Sequence, residues 1–262
     1  FAQDKIELVD NSVYLTLGSK FEHNNYTGFE YQPSARASWI IDDNQTLWGS
    51  VSRAVHTPDR GTSADTQLLV STAGAATYFG RVGNNALDSE ELVAYEMGYR
   101  IQPASNLSFD TAVFYNDYDN LILGNLGNAY GGSNSLGAFT VVPVIPVNAG
   151  SAHSWGGEIV AKWNPYSNWE LSSAYSLINL KFDQADPYGF SFAGKAPEQQ
   201  FNVRSNLFLP HDLEFNTSVY YVDNLRSLHI NSYVRLDLRL SWKPLDNMEV
   251  ALVGQNLLDN EH

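Results

Sequence analysis

The residues that could carry covalent or metal chemistry are scattered along this chain. The chain has no cysteine, so a thiolate nucleophile or a thiolate metal site is excluded. None of the six histidines lies two or four residues from another, which is the spacing of paired metal ligands; they are His23, His56, His153, His211, His229 and His262. No Gly-x-Ser-x-Gly segment is present. Asp183, Asp186 and Glu198 could bind Ca²⁺, although an ordinary acidic loop is the simpler interpretation. These observations predict a protein that is not an enzyme.

A second group of polar residues is regularly spaced. Eight charged residues alternate with apolar neighbours: Arg36, Glu96, Arg100, Glu158, Arg204, Arg235, Asp237 and Arg239. A lipid-facing Arg or Lys at the bilayer midplane costs roughly 2–4 kcal/mol, so these side chains should face a wet or protein-filled interior. Two interpretations stay open. The charges could neutralise one another across strands, as in Arg235–Asp237–Arg239, or they could bind something inside a barrel.

The elements that would position these charges are long β-strands. From Tyr233 to Trp242 apolar side chains occupy every second position, which is the period of a strand with one buried and one polar face. Such runs reach about ten residues, the length that a tilted strand needs to cross a bilayer. The pattern predicts about eleven strands, near 12–22, 31–41, 46–56, 90–102, 107–122, 153–163, 169–182, 198–209, 212–223, 231–243 and 247–257.

The connections alternate between short turns and long loops. Short turns are predicted at 42–45, 103–106, 164–168, 210–211 and 244–247, and long loops near 23–30, 57–89, 123–152, 183–197 and 224–230. This alternation is typical of a transmembrane antiparallel meander. The glycine-rich segment 124–134 could be a flexible linker or a ligand contact. We expect an open, curved half-barrel whose unpaired edges are the strands near 12–22 and 247–257.

Tryptophan placement and composition also favour a membrane. Five of the six tryptophans lie beside short turns, as in the girdle of a transmembrane barrel: Trp39, Trp48, Trp163, Trp169 and Trp242. No run approaches the roughly 18 apolar residues of a membrane helix. The net charge of −14 argues against nucleic-acid binding. The chain opens on Phe1 with no signal peptide, which suggests a fragment or a mature segment.

Five segments resemble the motifs of TonB-dependent outer-membrane receptors. Residues 48–60 (WGSVSRAVHTPDR) resemble the family's S-R-A-x-R-T-P segment, and residues 90–100 (EELVAYEMGYR) its E-x-x-x-x-Y-E-x-G-x-R strand. The others are residues 114–122 (FYNDYDNLI), an aromatic strand entering an external loop, 156–158 (GGE), its G-x-E strand, and 254–259 (GQNLLD), its G-x-N-L-x-D signature. The segments follow the family's order over residues 45–260. One departure is His56, where the family usually has Arg.

The resemblance implies an all-β transmembrane meander barrel of 22 strands with an N-terminal plug in its lumen. Residues 1–262 would form the C-terminal portion of that barrel, roughly strands 11–21, without the plug, the TonB-contacting box or the closing strand. The implied function is TonB-energised uptake of a scarce nutrient, most often an iron–siderophore complex, across the outer membrane of a Gram-negative bacterium. The implied partners are membrane lipid, the plug, TonB and the ligand; no cofactor or resident metal is implied.

The resemblance also assigns candidate residues. Glu96 and Glu158 resemble the barrel glutamates that pair with plug arginines, and Arg100 and Arg204, which fall on the same lumen-facing side of their strands, are further candidates for contact with the plug. Seven loop residues are candidates for the ligand face: Tyr78, Phe79, Arg81, Tyr130, Phe139, Tyr188 and Phe190.

Three alternatives remain. A passive porin would keep the barrel but would need neither plug nor TonB, and it would carry an inward constricting loop. A barrel enzyme would need a Ser/His/Asp cluster at its rim. A soluble β-sandwich is disfavoured by the strand lengths and the tryptophan placement.

Overall fold

The computed structural model describes residues 1–63, 69–71, 77–134, 137–184 and 195–259. Two predicted ligand residues, Tyr188 and Phe190, lie outside these ranges. The described residues form one 15-stranded sheet. Its strands are β1 Ala2–Val9, β2 Val13–Asn24, β3 Gly28–Asp42, β4 Gln45–His56, β5 Leu69–Ser71, β6 Thr77–Arg81, β7 Glu90–Ala104, β8 Leu107–Leu126, β9 Tyr130–Asn134, β10 Gly137–Tyr166, β11 Trp169–Phe182, β12 Gln199–Leu209, β13 Leu213–Val222, β14 Tyr233–Leu245 and β15 Met248–Gly254. A short helix α1 (Arg60–Ser63) and a 3₁₀ turn (Arg226–Leu228) complete the elements. Neither described helix has the length and hydrophobicity that spanning a membrane would require.

Twelve strands follow one another as an antiparallel meander, in the order β1-β2-β3-β4-β7-β8-β10-β11-β12-β13-β14-β15. All eleven predicted strands are present, so the predicted fold class is confirmed. The sequence pattern missed β1, because its first four residues, Ala2 to Lys5, are mostly polar and do not alternate with apolar ones. The prediction that the strand near 12–22 is an edge was therefore wrong, since β2 pairs with both β1 and β3. The sheet is open and ends at β1 and β15.

The sheet has two chemically distinct faces. Cross-strand partners share a face, so the register places Met97, Val113 and Gly157 on one face and Glu96, Phe114 and Gly156 on the other. We call these the apolar face and the polar face. The apolar face exposes large side chains, including Met97 (55% exposed) and Val113 (52%). Such a face is stable in contact with lipid rather than water.

Glycines on the polar face make room for aromatic rings on the neighbouring strand. A Cβ built on Gly98 would lie 2.4 Å from the Trp48 ring, and one on Gly156 would lie 2.7 Å from the Phe114 ring. Each ring therefore lies close to the backbone of a glycine on the next strand. This packing gives these glycines a structural reason that the strand pattern alone does not supply.

Of the five tryptophans that the sequence assigned to a girdle, four lie on the apolar face, as a girdle requires. Trp39, Trp163, Trp169 and Trp242 pair with apolar partners beside the short turns, for example Trp39 with Leu47. Trp48 is the exception and corrects the prediction, because it pairs with Gly98 and Ser38 on the polar face. Its distance from the turn fits a girdle, but its position in the alternation does not.

The short turns predicted from the sequence lie at one end of the sheet, and the connections predicted to be long lie at the other, which we call the loop end. Two predicted loops were too long. Residues 23–30 form a tight connection between Asn24 and Gly28, and much of 123–152 is strand, because β8 runs to Leu126 and β10 starts at Gly137. The buried apolar side chains of the described residues also lie toward the loop end, among them Leu87, Val141 and Val144.

Candidate functional site

The polar face carries two carboxylates that form no ion pair with a Lys or Arg of the described residues. Glu96 accepts one hydrogen bond, from Ser50 Oγ at 3.0 Å to its Oε2. Within the described residues no Lys or Arg forms an ion pair with Glu96 or with Glu158. Both lie on the polar face, where the sequence placed them. One strand, β8, lies between the strands that carry them.

The two predicted arginines behave differently. Arg100 donates two hydrogen bonds to Asp110 Oδ2, from Nε at 2.9 Å and from Nη2 at 2.5 Å, so the sheet itself neutralises it. Arg204 has no carboxylate partner among the described residues; its guanidinium lies 5.9 Å from the centroid of the Tyr220 ring. Arg204 therefore joins Glu96 and Glu158 as an uncommitted charge, whereas Arg100 does not.

Of the two interpretations left open by the sequence, mutual neutralisation holds in part of the face, and binding of something inside a barrel stays a prediction. Toward the β15 edge, Arg235 pairs with Asp237 at 2.7 Å along the same strand, and Arg239 pairs with Glu249 on β15. The central strands instead keep charges that the described residues leave unneutralised. Of the predicted ladder Arg235–Asp237–Arg239, the pair Arg235–Asp237 is thus present, whereas Arg239 pairs with Glu249 instead of Asp237.

A further polar-face group was missed by the sequence reasoning on sites. Arg36 stacks over Trp48, with its Cζ 4.2 Å from the ring centroid. The pair borders a depression of about 530 Å³ that also includes Glu158 and Lys162. Arg36 was placed correctly on the polar face, but the sequence offered no signal that Trp48 would lie beside it.

The second candidate surface lies at the loop end. It is a β wall formed by β6, β9 and residues 137–144 of β10. β6 pairs in parallel with β10, and β9 pairs with the same stretch in antiparallel fashion. Tyr78 and Tyr130 both pair with Val141, so they share one face of the wall. Phe139 lies on that face as well, and its ring contacts Tyr78 edge-on at 5.4 Å between centroids. Phe79 and Arg81 occupy the opposite face.

Side-chain amides hold this wall to the barrel strands. Asn148 Nδ2 donates to the carbonyl oxygens of Asp88 and Asn120, at 2.9 and 2.7 Å, and its Oδ1 accepts from the Asp88 N–H at 2.8 Å. Asn84 Nδ2 donates to the Pro146 carbonyl at 3.0 Å. The segment 77–89 is therefore an ordered part of the loop end.

Helix α1 begins at a carboxylate cap. The Thr62 N–H donates to Asp59 Oδ1 at 2.7 Å, and the Thr62 hydroxyl donates to the same oxygen at 3.0 Å. These bonds lower the pKa of Asp59, and the charge of Arg81 lowers it further. The positive charge of Arg81, one of the predicted ligand residues, thus favours the ionised form of the carboxylate that caps α1.

The acidic residues considered for Ca²⁺ are used otherwise. Asp183 Oδ1 lies 3.6 Å from His153 Nδ1, and Glu198 pairs with Arg226 at 3.5 Å. Asp186 lies outside the described residues. Within the described ranges, no three His, Asp or Glu residues are grouped so that they could hold a metal ion.

Comparison with known proteins gives a consistent result. A family described as "TonB dependent receptor-like, beta-barrel" matches residues 1–257. The chain is 26% identical over 213 residues to the iron-regulated outer membrane virulence protein of Vibrio cholerae, covering 78% of this chain and 30% of that protein. It is 30% identical over 126 residues to the ferric enterobactin receptor of Pseudomonas aeruginosa, covering 47% of this chain and 17% of the receptor. The chain thus spans under a third of the length of these relatives.

Solved structures show the same architecture. The siderophore receptor PirA from Acinetobacter baumannii matches 98% of this chain with a TM-score of 0.81 at 18% identity, and the match covers 41% of that receptor. PirA from Pseudomonas aeruginosa matches 99% of this chain with a TM-score of 0.76 at 20% identity, covering 44% of the receptor. At these identities the likeness concerns the fold. Together with the family match over almost the whole chain, it shows that this chain belongs to the family of TonB-dependent receptor β-barrels.

Proposed function

We propose that this chain is the C-terminal portion of the barrel of an outer-membrane receptor that imports a ferric siderophore with energy supplied through TonB. The proteins it resembles include a ferric enterobactin receptor and an iron-regulated outer membrane protein. The barrel would be completed by further strands and filled by a plug domain. Lipid would cover the apolar face, and the whole protein would lie in the outer membrane of a Gram-negative bacterium.

The observation that carries the proposal is the pattern of charges on the polar face. Glu96 and Glu158 form no ion pair with a Lys or Arg within the described residues, whereas three other arginines of the same face are each paired with a carboxylate. A water-filled pore gives no reason for this difference. A folded domain inside the barrel would supply the missing cations. Charges that become buried against such a domain must be paired, because an unpaired buried charge is costly.

Transport on this proposal involves binding and movement, with no bond made or broken in the ligand. The loop end captures the ferric siderophore, and TonB then displaces the plug so that the ligand passes along the polar face. Tyr78, Tyr130 and Phe139 present aromatic surface on one side of the β wall. Aromatic rings contribute large contact area at low entropic cost, which suits the organic shell of a siderophore.

If the ligand binds one face of the β wall, substitutions on the two faces should weaken ligand binding to different extents. Replacing Tyr78 by Ala in the complete receptor is expected to weaken binding of the ferric siderophore by at least about 1 kcal/mol, roughly fivefold in Kd. Phe79→Ala is the matched control, because Phe79 is the next residue of the same strand but lies on the opposite face. Titration of the purified receptor with a panel of ferric siderophores, followed by tryptophan fluorescence, measures both variants.

Two outcomes of that titration would count against the proposal. A larger loss for Phe79→Ala than for Tyr78→Ala would assign the ligand to the other side of the wall. Failure of the unmodified receptor to bind any ferric siderophore saturably would remove the siderophore assignment and would favour a passive channel.

A further inference from the structure

Two opposite charges lie at the same level of the polar face without meeting. Arg36 on β3 pairs with Ser50 on β4, and Ser50 pairs with Glu96 on β7. Adjacent strands lie about 4.8 Å apart, so the two backbones are about 10 Å apart. Side chains as long as those of Arg and Glu can meet across one intervening serine, yet they form no ion pair.

Trp48 explains why they stay apart. Its ring lies over Gly98 on one side, and Arg36 lies over the ring with its Cζ 4.2 Å from the centroid. Trp48 is two residues from Ser50 toward the turn end, so the stack draws the guanidinium away from the level of Glu96. Stacking of a guanidinium on tryptophan is as favourable as an exposed ion pair or more so, so the stack can hold Arg36 against the attraction of Glu96.

The fit of the ring depends on its neighbours. Trp48 pairs with Ser38 and Gly98, which are both small. Any side chain at position 98 would occupy the space of the indole, since a Cβ there would lie 2.4 Å from it. Glu96 is meanwhile oriented by the hydroxyl of Ser50. Arg36 is thus held by the uncharged ring of Trp48, and Glu96 by the uncharged hydroxyl of Ser50.

We infer that Trp48 is a positioning residue that keeps Arg36 away from Glu96, so that a plug-type domain in the lumen meets a guanidinium and a carboxylate as two separate contacts. This inference rests on the proposed function, and it adds the chemistry of the partner. The occupant presents a cation to Glu96 and a carboxylate to Arg36. Without Trp48, Arg36 would turn to Glu96, and both contacts would be lost to the occupant.

The test uses the complete receptor in planar bilayers and records the urea concentration at which the channel opens as the plug is released. Trp48→Ala is expected to lower this midpoint. Adding Arg36→Gln to Trp48→Ala is expected to raise the midpoint again, because Glu96 is then free to hold the plug's cation. Arg36→Gln alone should lower the midpoint, since only the contact to the plug carboxylate is lost in that variant.

A purely structural role for Trp48 predicts the opposite for the double variant. If Trp48→Ala/Arg36→Gln opens at the same or a lower urea concentration than Trp48→Ala, the inference is wrong. Trp48→Leu, which keeps bulk but offers no π face, gives the same comparison if the alanine variant does not assemble. A channel that is open before any urea is added would overturn the proposed function itself, which is a distinguishable result.

Discussion

Replacing Gly156 by alanine is expected to prevent the barrel from assembling in the outer membrane. A Cβ at this position would lie 2.1 Å from the carbonyl oxygen of Leu177 and 2.7 Å from the Phe114 ring. The ring could move, but the carbonyl belongs to β11, which pairs with β10 over its whole length. Relief would require the two strands to separate locally. We expect a cost above the roughly 1–3 kcal/mol of ordinary overpacking, because backbone cannot yield as a side chain does.

The matched control for this variant is Gly49→Ala. Gly49 also lies within a long strand, but its Cβ would meet only the Glu96 carbonyl oxygen at 3.5 Å, an ordinary contact. The amount of heat-modifiable receptor in outer-membrane fractions measures assembly for both variants. Gly49→Ala should match the unmodified receptor, and Gly156→Ala should be nearly absent. Equal amounts of the two folded variants would contradict the packing described for β10 and β11.

Replacing Glu96 by alanine is expected to loosen the docking of the plug in the complete receptor. The carboxylate has no cationic partner within the described residues, and on the proposed function its partner is a plug cation. Removing one member of a buried ion pair typically costs about 3–5 kcal/mol, because the remaining charge is left without compensation. Glu158→Ala should behave similarly, since Glu158 is equally uncommitted on β10.

Arg100→Gln is the control for these variants. Arg100 shares the polar face with Glu96, but Asp110 already neutralises it, so its loss should affect plug release much less. Urea-induced release of the plug, followed by protease access to the plug, compares the three variants. Unchanged release in both Glu96→Ala and Glu158→Ala would remove these residues from the plug interface.

The sequence predicted those parts of the fold that depend on alternation. In β14 apolar and charged residues alternate strictly, and the strand was found almost where expected. In β1 the first half is polar on both faces, so only pairing with β2 reveals it as a strand. The sequence underestimated the length of the strands at the loop end. This added length depends on amide hydrogen bonds, such as that between Asn148 and the Asp88 carbonyl.

The candidate site was predictable to a similar extent. The alternation of residues along each strand was enough to place Glu96, Glu158 and Arg204 on the polar face. The alternation of residues along one strand could not predict that Asp110 neutralises Arg100, since that pair depends on the register of β7 against β8. The stack of Arg36 on Trp48 likewise depends on the glycine two strands from Arg36. Such contacts between strands are invisible in the period of a single strand.

The decisive measurement is uptake of an iron-labelled siderophore by cells that express the complete receptor, with and without TonB. If the chain is part of an energised importer, uptake will saturate with ligand concentration, will exceed that of cells lacking the receptor, and will fall to background when TonB is deleted. Uptake that rises in proportion to concentration and persists without TonB would contradict energised import and would assign the barrel to a passive channel.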